Sequence, residues 1–304
     1  MGRLGRGALR WRVLHPLYES RCSNAASGRL CQAIALSPDL GYPYCLLGTY
    51  EFTRNNLVGA LDLAFEAYHR QPDDPEVAMR LAQFLLYCGL TRDAERYVLA
   101  AVDQDPVDGR KYVLLSALRF SQGDLLAAQA AGQTAVDLGW PSVFLAMATA
   151  ALGHNELAVE QYQLTRRQVD NILLPPVGSG PNSKTAMDAY WTAAKGVCSG
   201  EESDRLEYHR LLKQLYTTLP YNADSAICYP AIFTGNAELV FKSLGQRFTA
   251  ANILGLMTLW ADIDPIRQIW QHPQFPAFAR ESGLVSAWEK YWWPDLFQGR
   301  QFPI

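Results

Sequence analysis

Pro38, Pro72 and Pro106 stand thirty-four residues apart, and the small residues between them keep the same register. Ala60, Ala94 and Ala128 form one series, and Ala67, Ala101 and Ala135 form a second, seven residues on. A chain that repeats at this period builds an array of similar units, each of which buries its apolar stripe only when a neighbour stacks on it. The alanines mark where two helices approach closely. Each proline ends a helix, because its ring fixes φ and it has no N–H to donate. Turn residues fall midway between the prolines, at Arg54-Asn55-Asn56, Gly89-Leu90-Thr91 and Ser121-Gln122-Gly123-Asp124. Thr91 and Asp124 are the expected N-caps of the second helices.

At these positions the chain resembles the tetratricopeptide repeat (TPR), a helix-turn-helix unit with Leu-Gly, an aromatic, an Ala and a closing Pro at fixed offsets. Tyr44, Leu47, Gly48, Ala60, Ala64, Ala67 and Pro72 carry the likeness in a first unit, with Glu51 where the aromatic is expected. Ala78, Leu81, Ala82, Leu85, Ala94, Val98, Ala101 and Pro106 carry it in a second. In a third, Tyr112, Leu115, Ser116, Ala128, Gly132 and Ala135 do so, and Trp140 replaces the closing proline. The resemblance implies an all-α fold, a right-handed α-solenoid with a Trp-rich helical C-terminal cap. A TPR array over 1–172 would comprise a partial repeat at 8–40, repeats at about 41–74, 75–108 and 109–142, and a short repeat at 143–170. A Pro/Gly linker at 173–183 separates it from degenerate helical repeats and the cap at 184–304, with helices expected over 203–219, 223–233, 236–244 and 248–261.

Composition narrows the class. With 304 residues, 49% hydrophobic and 19% charged, the chain has material for a long solenoid. A net charge of −3 gives no general attraction to nucleic acid or to an anionic membrane, so no nucleic-acid partner is expected. Arg3, Arg6, Arg10, Arg12 and Arg21 crowd the N-terminus and read as a solvated arm or helix face; a phosphate-binding or membrane-surface tail is the alternative. No apolar run reaches the roughly eighteen residues of a membrane span, and the N-terminus lacks the apolar core of a secretory signal. The expected location is cytoplasmic. Cys22, Cys31, Cys45, Cys88, Cys198 and Cys228 contain no CxxC pair and are expected as small buried hydrophobes, a Cys22–Cys31 disulfide being the alternative.

Gly178-Ser-Gly-Pro-Asn-Ser-Lys184-Thr185 nearly matches a phosphate-binding loop, but Ser183 replaces the glycine the wrapped backbone needs and Pro181 removes a donor. The preferred reading is a loop whose Ser183 caps a helix over 184–195. Catalytic constellations are equally thin. His15, His69, His154, His209 and His272 show no HExxH, Glu207 and His209 point to different helix faces, and there is no G-x-S-x-G elbow. No enzyme activity, cofactor or metal is expected.

The C-terminal stretch from Trp260 to Phe297 resembles the ending of many bacterial tetratricopeptide proteins of regulation and signalling, on Asp264, Pro265, Ile266, Arg267, Pro273, Phe275, Gly283, Leu284, Trp288, Trp293, Pro294 and Asp295. Its tryptophans, Trp260, Trp270, Trp288, Trp292 and Trp293, are expected to cover the last helix face; an aromatic ligand pocket is the alternative. Arg267 and Asp264 are expected to fix a turn.

The family geometry implies that the first helix of each unit lines a concave groove. On that register Tyr42, Cys45, Thr49 and Phe52 face it from the first unit, Glu76, Met79, Arg80, Gln83 and Leu86 from the second, and Arg110, Val113, Ala117 and Phe120 from the third. The Lys and Asn with which chaperone-tail binders hold a terminal carboxylate are replaced by Cys45 and Thr49, and only Arg110 keeps a cation there. An interaction scaffold or adaptor in bacterial regulation, taking a protein or peptide with apolar anchors and one acidic group, is the expected function. The alternatives are a small-molecule or nucleotide-binding regulatory module built on the 178–185 loop or the aromatic cap, and a hydrolase.

Overall fold

The computed structural model describes residues 25–173, 183–218, 230–245, 248 and 253–298. Among them every regular element is helical. In order these are α1 (Ala25–Leu36), α2 (Tyr42–Phe52), α3 (Leu57–Arg70), α4 (Pro75–Tyr87), α5 (Thr91–Gln104), α6 (Gly109–Ser121), α7 (Leu125–Asp137), α8 (Val143–Ala151), α9 (Asn155–Leu173), α10 (Ser183–Cys198) and α11 (Glu202–Thr218). There follow α12 (Ala237–Leu244), a 3₁₀ segment (Ile253–Trp260), α13 (Asp264–Trp270), α14 (Phe275–Glu281), α15 (Leu284–Lys290) and a last 3₁₀ turn (Asp295–Phe297).

The helices from α1 to α11 stack in sequence, each packing on the one before and the one after. The result is a helical, repeat-like fold of adjacent helix pairs, compatible with a solenoid. Local chemistry sets the boundaries. Asp74 caps α4 by accepting from the N–H of Glu76 at 2.9 Å, and Pro75 follows at a position where no donor is needed. Asp108 repeats this device on α6, accepting from Arg110 N at 3.0 Å. Asn56 and Asp124 cap α3 and α7 through the N–H groups of Gly59 and Ala127. Both alanine series are buried to within 1% of complete. Gly48 shows why small residues sit at the crossings: a Cβ there would come within 2.8 Å of the Phe84 ring.

One cap differs from expectation. Thr91 lies inside α5; Leu90 occupies the N-cap and offers no side-chain acceptor. The acceptor comes from the far end of the chain, where Asp295 Oδ2 takes the N–H of Arg92 at 2.8 Å and the hydroxyl of Thr91 at 2.9 Å. Leu90 is 2% exposed, so its position serves the core and the capping oxygen must be supplied from elsewhere.

The C-terminal segment also departs from the expected stack of degenerate hairpins. Residues 253–260 are 3₁₀ where an α-helix is expected, and they lie across α4 and α6, while α15 lies on α3. The Trp-rich stretch therefore clasps the edge formed by the turns of the first units. Trp288 donates its Nε1–H to the carbonyl of Cys88 at 2.8 Å, and the Trp260 and Trp288 rings meet edge-on at 6.1 Å. Gly89, at φ +74, lies flat beneath Trp260: a Cβ there would approach the indole to 2.8 Å. Lys290 Nζ reaches Asp62 at 2.6 Å, and the Tyr291 ring stacks on Phe65 at 5.4 Å. A single core runs from Phe52 through the repeats to Phe297; a smaller one around Ile34, Tyr44, Leu47 and Val77 closes the N-terminal end.

Arg267 bridges Asp262, at 3.0 Å, and Asp264, fixing the turn before α13. Cys45, Cys88 and Cys198 are free and buried, as expected for small hydrophobes, and desolvation pushes the thiols of Cys45 and Cys198 up to about 12. Cys31 departs from that reading, being disulfide-bonded. The arginine-rich N-terminus and the phosphate-loop near miss at 178–182 lie outside the described residues, as do the side chains of Ser183, Lys184 and Thr185.

Candidate functional site

The residues expected to line a groove divide sharply by environment. Phe52, Met79, Leu86 and Phe120 are buried, with at most 6% exposure, and so are Cys45 and Ala117. Phe52 meets Phe84, Tyr87 and Phe248 with ring centroids 5.1–5.7 Å apart. Phe120 meets Phe144 at 6.0 Å and Phe233 at 6.1 Å. Phe233 and Phe248 come from the C-terminal part of the chain, so at one end of the first-helix face the chain fills its own surface. Phe52, Met79, Leu86 and Phe120, expected on an open groove, are therefore part of the core, because sequence periodicity is silent about what covers a helix face.

Toward the other end of the same helices the surface is polar and open. Tyr42, at 40% exposure, opens α2, and Thr49 is half-buried with its hydroxyl donated to the Cys45 carbonyl at 3.1 Å. Glu76, Arg80, Gln83 and Arg110 form a connected set. Glu76 accepts from Arg80 Nε at 3.3 Å and from Arg110 NH2 at 2.9 Å, and Arg80 NH1 also donates to Gln83 at 3.2 Å. Glu76 and Arg110 are thirty-four residues apart, the repeat period, which stacks equivalent positions of adjacent units side by side. Val113, one turn further along α6, is half-buried beside them.

Arg110 is held more tightly than an exposed ligand-binding arginine. Its NH2 lies 2.6 Å from Asp108 Oδ2, and its guanidinium faces the Trp140 ring at 6.0 Å. Asp108 is the centre of the arrangement. Besides capping α6 and pairing with Arg110, it accepts from Lys111 Nζ at 2.6 Å; Lys111 is 1% exposed and also reaches Asp105 at 2.7 Å. Burial pushes the Asp108 carboxyl up, but the hydrogen bonds from Arg110 and Lys111 outweigh it and hold the group far below the usual carboxylate range. Arg110 is raised in turn, chiefly by its hydrogen bonds to Asp108. The sequence signalled Arg80, Glu76 and Arg110; it did not signal Asp108 and Lys111, whose roles depend on the turn that brings Asp105, Asp108 and Lys111 together.

The aromatic cap offers no comparable opening at Trp260 and Trp288, each 1% exposed, or at Trp270, 5% exposed. Trp292 is exposed. Among the described residues no group of three or more His, Cys, Asp or Glu side chains is placed to hold a metal ion, and no helix is long and apolar enough to cross a membrane. Compared with known proteins, the chain matches no family model and no curated protein.

Proposed function

We propose that the chain is a non-enzymatic interaction scaffold of the right-handed TPR type, cytoplasmic and serving bacterial regulation, and that the open half of its first-helix face receives a protein or peptide. The observation that carries the reading is the division just described: the C-terminal clasp fills the face around Phe52 and Phe120 and leaves Tyr42, Thr49, Glu76, Arg80, Gln83, Arg110 and Val113 toward solvent. A surface presenting Tyr42, the half-buried Val113 and prearranged charges suits a peptide with an apolar anchor, whose acidic group would compete with Glu76 and Asp108 for the ordered Arg80 and Arg110.

The test is affinity capture with chemical cross-linking, comparing the intact chain with a Tyr42→Glu/Val113→Glu variant. Neither side chain belongs to the ion network, and a carboxylate at the start of α2 favours that helix end. Specific partners should cross-link near α2, α4 and α6 and be lost from the variant. Partners retained by the variant and cross-linked elsewhere would refute the groove.

A further inference from the structure

One cysteine stands apart from the others. Cys45, Cys88 and Cys198 are free thiols, at most 1% exposed, and burial pushes all three well above the ordinary thiol value. They are sheltered from oxidants and serve as core volume. Cys31 is half-buried on α1 and is disulfide-bonded. The chain has six cysteines and these three are free, so the partner of Cys31 is Cys22 or Cys228, both outside the described residues.

Distance favours Cys22. A disulfide needs Cα atoms about 4.4–6.8 Å apart. From Ala25, the first residue of α1, to Cys31 the helix rises about 9 Å. The three steps from Cys22 to Ala25 span about 10 Å when extended, so the chain ahead of α1 can fold back along the helix and set Cys22 beside Cys31. Cys228 lies five residues before Phe233, whose ring is held against Phe120 on α6, two units further along the stack than α2.

The bond also answers a need of the fold. Helix α1 begins the described stack and has α2 as its one substantial neighbour among the described elements. Leu30 and Cys31 lie half-buried against the small core of Ile34, Tyr44, Leu47 and Val77. The segment ahead of Cys22 carries apolar side chains suited to that face, among them Leu9, Trp11, Val13 and Leu17. In a reducing cytoplasm such bonds are transient and sensing rather than permanent. A half-buried disulfide, unlike one sealed in the core, is open to an attacking thiolate.

We propose that Cys22 and Cys31 form a reversible redox pair. Oxidised, the pair pins the arginine-rich segment along α1 and stiffens the α1–α2 end of the array; reduced, it frees the segment and loosens that end. Hydrogen peroxide closes the bond. One thiolate takes an oxygen to become a sulfenic acid and releases hydroxide, and the second thiol attacks that sulfur and expels water, so two thiols lose two electrons and the peroxide ends as two waters. A dithiol opens the bond. Its first thiolate attacks one sulfur and expels the other as a thiol; its second closes a cyclic disulfide and expels the first. Tyr42 and Thr49 stand on α2, so the pair regulates the proposed receiving surface. That consequence rests on the reading above, and the redox pair itself does not.

The full chain is treated with hydrogen peroxide or with dithiothreitol, and its thiols are mapped by alkylation and peptide mass spectrometry beside amide hydrogen exchange. Peroxide should link Cys22 to Cys31 and leave Cys45, Cys88 and Cys198 unmodified until the fold is denatured, and dithiothreitol should reverse the link. Reduction should lower the protection of α1 amides at least about tenfold while α8 and α9 stay unchanged. Cys22→Ser should show the reduced pattern under both treatments. A bond from Cys31 to Cys228 or to a second chain, no bond after peroxide, or equal α1 protection in the two states would each overturn the proposal. None of these readouts needs a partner, so Tyr42→Glu/Val113→Glu should link as the unaltered chain does, and failure of the receiving surface leaves the redox result standing.

Discussion

Replacing Asp295 by alanine isolates a capping contact made between residues more than two hundred positions apart. Asp295 stands in for the missing cap of α5, and three separable effects disappear with it. Loss of a capping acceptor costs about 1 kcal/mol, and loss of a carboxylate at a helix N-terminus about 0.5 kcal/mol. The Thr91 hydroxyl, in a residue only 6% exposed, is left without its acceptor, at about 1 kcal/mol more. Arg92 contributes nothing measurable, because its side chain is 74% exposed. The expected destabilisation is therefore about 2–3 kcal/mol, which for 304 residues lowers the melting temperature by about 4 °C. Calorimetry reads the total and hydrogen exchange reads the location: amides in the first turn of α5 should lose protection, while α3, held by Lys290 on Asp62, should not. Asp295→Asn keeps an acceptor and should lose about half as much. A change below 1 °C for Asp295→Ala, or protection lost equally from α3 and α5, would falsify the capping argument.

Gly89→Ala should cost at least 2 kcal/mol by urea denaturation, because φ +74 strains any other residue and the new Cβ meets Trp260. Trp288→Phe both strands the Cys88 carbonyl and leaves a cavity beside Trp260 and Phe297, for a loss of at least about 2 kcal/mol in the same assay. The folded-state carboxyl of Asp108 is depressed, so the stability it provides is fully present above the unfolded value of about 3.9 and is lost as pH falls below it toward the folded value. Asp108→Asn should therefore flatten the acid limb of stability against pH; an unchanged limb would show that the pairing with Arg110 and Lys111 has no energetic weight.

How much was legible in the sequence depended on the range of the interaction. The period of Pro38, Pro72 and Pro106 and the two alanine series gave the helix pairs, because stacked units meet the same neighbours at the same offsets. Asp124 was readable as a cap because its acceptor and donor lie three residues apart. Thr91 misled for the complementary reason: its true partner is 204 residues away, and no local pattern specifies it. The same limit applies to Phe52 and Phe120, expected to line an open groove and instead covered by Phe248 and Phe233, which no local pattern specifies. In the candidate site, Arg80 and Arg110 stood out by type, but their mutual carboxylate Glu76 became meaningful only when adjacent units were laid side by side.

The clasp on Cys88 and Thr91 also sets when the molecule can be finished. A stack of repeats folds as each unit meets the next, and during synthesis the N-terminal pairs have their neighbours long before the chain ends. Here the edge at Asn55, Gly89 and Leu90 waits for residues that emerge some two hundred positions later. Until then the hydrophobic seat of Trp260 and Trp288 is bare, and α5 begins with an empty cap. So long a loop carries a larger closure entropy than the contacts between adjacent helices, and it couples the second unit to the turn at Asp295–Phe297. A truncation near the C-terminus is thus a lesion at the opposite end of the array, with the first repeats fraying while α8 and α9 retain their packing.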